Sequence, residues 1–148
     1  ADADLVRRQV LVHTRIDGDP SDPTLDLDTR IDRSFGYTML DLRSGFAKLQ
    51  ITQAEVGPLA LSPDGGHAFT FLRNDAASVR VLQRIALASF LVDDYALGSP
   101  PLSLGIVPDT SRAFVGQLHP EGRISFLEWG TGDLVSVTGF ELNGRISE

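Results

Sequence analysis

Asp17, Asp19, Ser21 and Asp28 stand at positions 1, 3, 5 and 12 of the stretch "DGDPSDPTLDLD". Oxygen donors at that spacing are the ligand pattern of a calcium loop of EF-hand type. Three features depart from the pattern. The glycine needed at position 6 is Asp22, Pro20 and Pro23 stiffen the loop, and the closing bidentate Glu is an Asp. No helix is expected on either side. The residues therefore favour a solvated acidic loop, with a Ca²⁺ site on Asp17, Asp19, Ser21 and Asp28 as the metal reading of the same stretch.

Other reactive side chains form weaker patterns. His13, His67 and His119 are the only histidines, and no H-x-x-x-H or H-E-x-x-H spacing links them. Ser62, Asp64 and His67 are close in sequence, but the aligned residues of a second copy described below are Val107, Asp109 and Arg112. A hairpin bend survives that exchange and a nucleophile does not. Asp93-Asp94 reads as a solvated strand end, and Trp129 as packing or as an exposed binding aromatic. There is no G-x-S-x-G elbow, phosphate loop or dinucleotide fingerprint. No catalytic and no cofactor-binding residue is assigned.

Composition narrows the classes further. The chain has 148 residues, 42% of them hydrophobic, enough for one ordinary core. Net charge is -7 with the arginines scattered, which disfavours nucleic acid and anionic membranes. Cysteine is absent, so disulfides and thiolate metal sites are excluded. No apolar run reaches the ~18 residues of a membrane span. "ADADLVRRQV" lacks the apolar region of an intact signal peptide; a removed leader stays open.

The elements that position these residues come from a repeat. Shifted by 45, "ALSPDGGHAFTFL" (60–72) falls on "GIVPDTSRAFVGQ" (105–117), and the register is read without a gap through 97 and 142. Seven of 38 positions are identical, and the aligned apolar classes carry the match. Each copy parses as four strands, at 58–62, 67–72, 78–83 and 87–95, then 102–107, 112–118, 123–129 and 134–142. The stretch 78–97 alone also has helical spacing. Its copy contains Gly130 and Gly132, each costing a helix about 1 kcal/mol, which decides for strands. Upstream, 8–14, 36–42 and 46–52 read as a partial third unit, interrupted by the acidic insertion 15–35.

Four-strand units of ~40–45 residues are the mark of β-propeller blades. "VGPLALSPDGGHAFTFL" (56–72) resembles the YVTN-type, WD-repeat-like blades of bacterial propellers, in the superfamily of quinoprotein and lactonase-like rings. Pro58 is displaced by two from the family's proline, Pro101 occupies that place in the second copy, and the second copy reads "VPDTS" without the glycine. The resemblance spans about residues 36–142. It implies an all-β fold of four-stranded antiparallel blades within one segment, 1–148: a partial blade 5–54, a blade 55–98 and a blade 99–148. Such a set is an incomplete propeller or a fragment, and Asn143-Gly144 reads as the start of a further hairpin. Completion is expected from missing sequence, from copies of the chain or from another protein. The resemblance also leans towards a bacterial, periplasmic or secreted setting.

The expected function is a non-catalytic scaffold that binds protein partners, since propellers host unrelated activities and the fold alone assigns none. Part of a lactonase-like hydrolase, part of a quinoprotein-like oxidoreductase, and a Ca²⁺-stabilised surface module are the alternatives.

Overall fold

The structure is a computed structural model that describes residues 8–13 and 15–139. Asn143-Gly144 and the end of the last expected strand lie outside the described residues. The chain divides into two compact units, 1–56 and 57–148.

The first unit holds β1 (Arg8–Val12), α1 (Leu27–Asp32), β2 (Phe35–Asp41) and β3 (Ala47–Thr52), with the strands in one antiparallel sheet of order β1-β2-β3. Tyr37 and Met39 of β2 are fully buried. The helix is a correction to the loop expected at 15–35. Asp26 caps it by accepting from the Thr29 amide at 2.8 Å, and Asp28 in its first turn suits the positive end of the helix.

The second unit holds two four-stranded antiparallel sheets. Sheet 2 consists of β4 (Val56–Leu61), β5 (His67–Asn74), β6 (Val79–Ala86) and β7 (Leu91–Ala96), in chain order. Sheet 3 repeats it with β8 (Pro101–Ile106), β9 (Arg112–Gln117), β10 (Arg123–Glu128) and β11 (Asp133–Thr138). β4 and β8 are offset by 45 at both ends, and β5 and β9 begin 45 apart.

After β5 the offset changes, which corrects the gapless alignment. His67 pairs with Ala86, whereas Arg112 pairs with Glu128, so β6 and β10 are offset by 42. The β9–β10 hairpin has arms two pairs shorter and a connection one residue longer than β5–β6. Leu82 therefore corresponds to Ile124, Gln83 to Ser125, Ile85 to Leu127, and Trp129 to Leu87 rather than to Arg84. The following turns confirm the offset. Phe90 donates to the Ala86 carbonyl at 2.7 Å and Gly132 to that of Glu128 at 2.8 Å, each with positive φ. Gly45 makes the same bond to Asp41 at 2.8 Å, which aligns β2–β3 with these hairpins.

Side chains alternate across a sheet, so each sheet has two faces. Face A of sheet 2 carries Phe69, Phe71, Leu82, Arg84 and Tyr95, as their cross-strand pairing shows. Face B of sheet 3 carries Ala113, Val115 and Leu127. The two faces meet in one buried cluster with Phe69, Leu82, Leu97 and Trp129 at its centre. Polar bonds seal the joint: Arg84 donates to the Trp129 carbonyl at 2.8 Å, and Arg73 to that of Pro101 at 3.2 Å.

Candidate functional site

Two loops of the repeat line one open groove of about 760 Å³. Pro63 and Asp64 come from the first Pro-Asp turn, Asp109, Thr110, Ser111 and Arg112 from the second, and Glu128 and Trp129 from the end of β10. The turns are built by different means. In the first, Gly65 supplies a positive φ of 64° and its amide donates to Ser62 at 2.8 Å. In the second no glycine is present, and Asp109 takes a φ of 56°, a region that Asp tolerates better than most residues.

Ser62 is buried and its hydroxyl is fully committed. It donates to the Asp64 carboxylate at 2.5 Å and accepts from the His67 amide at 3.0 Å. The Ser62 hydroxyl, followed by the Gly66 amide at 2.9 Å, holds the Asp64 carboxyl below its ordinary range. These bonds lock a bend. The His67 ring lies instead against aromatics, its centroid 6.3 Å from Phe69 and 6.4 Å from Trp129, and its Nδ1 is buried without a partner. Burial, then the positive Arg84, lowers the His67 pKa from its ordinary 6.5, while Asp64 opposes the shift.

A pH dependence follows with a defined sign. The unfolded chain takes a proton on residue 67 below pH about 6.5, and the folded chain resists it, so acid favours unfolding. Denaturant midpoints should fall as the pH drops from about 6.5, and His67→Phe should flatten that slope. A slope unchanged by the substitution would assign the effect elsewhere.

The remaining charges of the groove give it acidic character. Glu128 accepts from the Ser111 hydroxyl and pairs with Arg112 at 3.5 Å, and Asp109 and the turn-bonded Asp64 add two further carboxylates to the lining. Such a lining favours hydrogen-bond donors and cationic groups. Sequence reasoning missed this groove, although the aligned Asp64 and Asp109 were its visible signal.

The acidic insertion serves its own backbone. Asp19 accepts from the Ser21 amide at 2.8 Å and hydroxyl at 2.7 Å, and Asp22 accepts in the same way from Thr24. Those bonds hold both carboxyls below their ordinary range. Asp28 lies on α1, and among the described residues no three acidic or histidine groups converge as metal ligands. The structure thus joins Asp19 to Ser21 and does not bring Asp17 and Asp28 to them. His13 bonds Thr38 at 2.7 Å, and His119 accepts from the Glu121 amide in its turn.

A second groove, of about 490 Å³, lies on face A of sheet 3. Phe126, Val135 and Val137 form its floor, with Arg112, Glu128, Thr131 and Asp133 around it. Val135 is 60% exposed and Val137 46%. Their counterparts on sheet 2 are Arg84, Asp93 and Tyr95, where Arg84 bonds Asp93 at 2.7 Å and lies over the Tyr95 ring. Where sheet 2 offers an ion pair and a phenol, sheet 3 offers bare hydrocarbon.

No protein-family model and no curated protein sequence matches the chain. Solved structures do. The chain is similar to the β-propeller domain of the Trilobed protease from Pyrococcus furiosus, described as having an open velcro topology, with a TM-score of 0.53 and 12% identity over 76% of this chain and 37% of that one. TolB from Acinetobacter baumannii matches at a TM-score of 0.45 and 14% identity, over 89% of this chain and 41% of that one. The chain spans about two fifths of the length of either structure. The first likeness, with the three antiparallel sheets, establishes a β-propeller-like fold of incomplete blade number. No helix among the described residues is long and apolar enough to cross a membrane.

Proposed function

We propose that the chain is a non-catalytic β-propeller module that binds protein through its blade faces. One observation carries this reading. Face A of sheet 2 is sealed by sheet 3, while the same face of sheet 3 presents Phe126, Val135 and Val137 as an open apolar groove. Contiguous exposed hydrocarbon rimmed by charge is the signature of an interaction surface. The Ser62 hydroxyl is held by Asp64 and the His67 amide, so the one serine beside an acid and a histidine serves the turn. A net charge of -7 directs the surface towards proteins rather than nucleic acids.

The dye 1-anilinonaphthalene-8-sulfonate tests this directly. It should bind the native chain, and the double substitution Val135→Asp with Val137→Asp should abolish binding while Trp129 emission stays unchanged. Dye binding that survives the substitution would place the apolar surface elsewhere.

A further inference from the structure

We propose that Arg80 and Arg123 form a binding site for a small tetrahedral oxyanion, a phosphate or phosphate ester, seated over Gly98 at one end of the joint between sheets 2 and 3. The site lies at the opposite end of the strands from the groove of the Pro-Asp turns, and it does not depend on the open face of sheet 3.

Both sheets aim guanidinium groups at this place. Arg73 and Arg80 are cross-strand partners on face A of sheet 2, and Arg123 lies on face B of sheet 3. All three reach the connection from β7 into β8. Arg80 Nη1 donates to the Gly98 carbonyl at 3.4 Å, Arg123 Nη1 to the Ser99 hydroxyl at 2.8 Å, and Arg73 Nη1 to the Pro101 carbonyl at 3.2 Å. Asp75 takes Nε and Nη2 of Arg73 at 2.9 and 2.7 Å, so both of its oxygens are committed there. Among the described residues, neither Arg80 nor Arg123 forms an ion pair. Arg80 Nε is buried without a partner, a cost that its one long bond does little to offset. The blade itself does not require these arginines. In sheet 3 the places of Arg73 and Arg80 are taken by Leu118 and Gly122.

Gly98 shapes the site. It is exposed, and a Cβ there would lie 2.7 Å from Arg123 Nη1 with only that guanidinium within 4 Å. The glycine thus keeps a place open to solvent beside Arg123, while its own carbonyl holds Arg80. One guanidinium fork matches a planar carboxylate. Two forks from different strands, with the Ser99 hydroxyl beside one of them, present donors in more than one plane and suit the three or four oxygens of a phosphate group. The net charge of -7 opposes an extended polyanion and restricts the ligand to a small group held by short contacts.

Nuclear magnetic resonance of the arginine Nε–H groups tests the site, with inorganic phosphate titrated at constant ionic strength. The Arg80 and Arg123 signals should shift and saturate, while that of Arg84, at the other end of the strands, stays in place. Acetate should bind at least about tenfold more weakly. Arg80→Gln and Arg123→Gln should each weaken phosphate binding by about tenfold or more, with Trp129 emission unchanged. Gly98→Ala removes no charge but sets a methyl group against Arg123, and it should weaken binding as well. Glycerol 2-phosphate separates the sources: tighter binding than inorganic phosphate assigns the site to an ester, and equal or weaker binding assigns it to the free ion. Absent shifts, shifts that acetate reproduces at the same concentration, or shifts that persist in both glutamine variants overturn the site and leave the three arginines as a clamp on the connection.

Discussion

Replacing Phe69 by Ala should destabilise the chain by about 3–5 kcal/mol, the usual cost of emptying a buried aromatic site. Phe69 is fully buried, and its ring centroid lies 5.6 Å from that of Trp129, at the centre of the joint between sheets 2 and 3. The loss would fall on both sheets together, because the cavity opens between them. Trp129 is the sole tryptophan and is 8% exposed, so its emission reports on the same joint. A red shift should accompany the fall in denaturant midpoint. Phe69→Leu, which keeps most of the volume, should cost less than about 2 kcal/mol. Equal losses for the two substitutions would show that the ring is not packed as described.

The second large effect is polar. Gln117→Leu should cost about 2–3 kcal/mol although the new side chain is apolar, because it orphans buried groups. The Gln117 amide accepts from the Ser99 backbone N–H at 3.1 Å and donates to the Ser125 hydroxyl at 2.5 Å. Ser125 in turn bonds Ser136 at 2.6 Å, and Arg123 reaches the Ser99 hydroxyl at 2.8 Å. Ser99, Gln117 and Ser125 are all buried, so water does not replace the lost partner. Ser125→Ala should cost less, since Gln117 keeps its bond to the Ser99 amide. Chemical denaturation of both variants gives the comparison, and a neutral Gln117→Leu would contradict the network.

Much of this architecture was legible in the residues. The Pro-Asp bends and the apolar strands around them place β4 and β8, and the Gly130-Thr131-Gly132 turn correctly excludes a helix over 78–97. The third strand was harder for a physical reason. "VRVLQRIA" carries apolar residues on both faces, Val79, Val81 and Ile85 on one parity and Leu82 and Ala86 on the other. A strand of that kind keeps apolar matches under an odd slip, although the slip turns every side chain to the opposite face. The slip of three was therefore invisible until pairing showed Leu82 on Phe71 and Ile124 on Gly116.

The site was legible only in parts. Ser62, Asp64 and His67 were visible as neighbours, but whether Ser62 faces the His67 ring or its backbone amide depends on turn geometry. The acidic insertion shows calcium-like spacing in one dimension. In three dimensions Asp19 and Asp22 each bond a residue two positions on, and Asp26 caps a helix that the spacing concealed. The open groove on sheet 3 had no sequence signal of its own. Val135 and Val137 alternate as in any half-buried strand, and only the absence of a covering sheet among the described residues makes them a surface.

Hydroxyl-radical footprinting across a dilution series measures the central claim most directly, because it reads the two A faces in one molecule. Phe126, Val135 and Val137 should be labelled at every dilution, while Phe69 and Leu82 stay protected throughout. Protection of Val135 and Val137 at every dilution, or labelling of Phe69 alongside them, would contradict an account built on one sealed blade face and one open one.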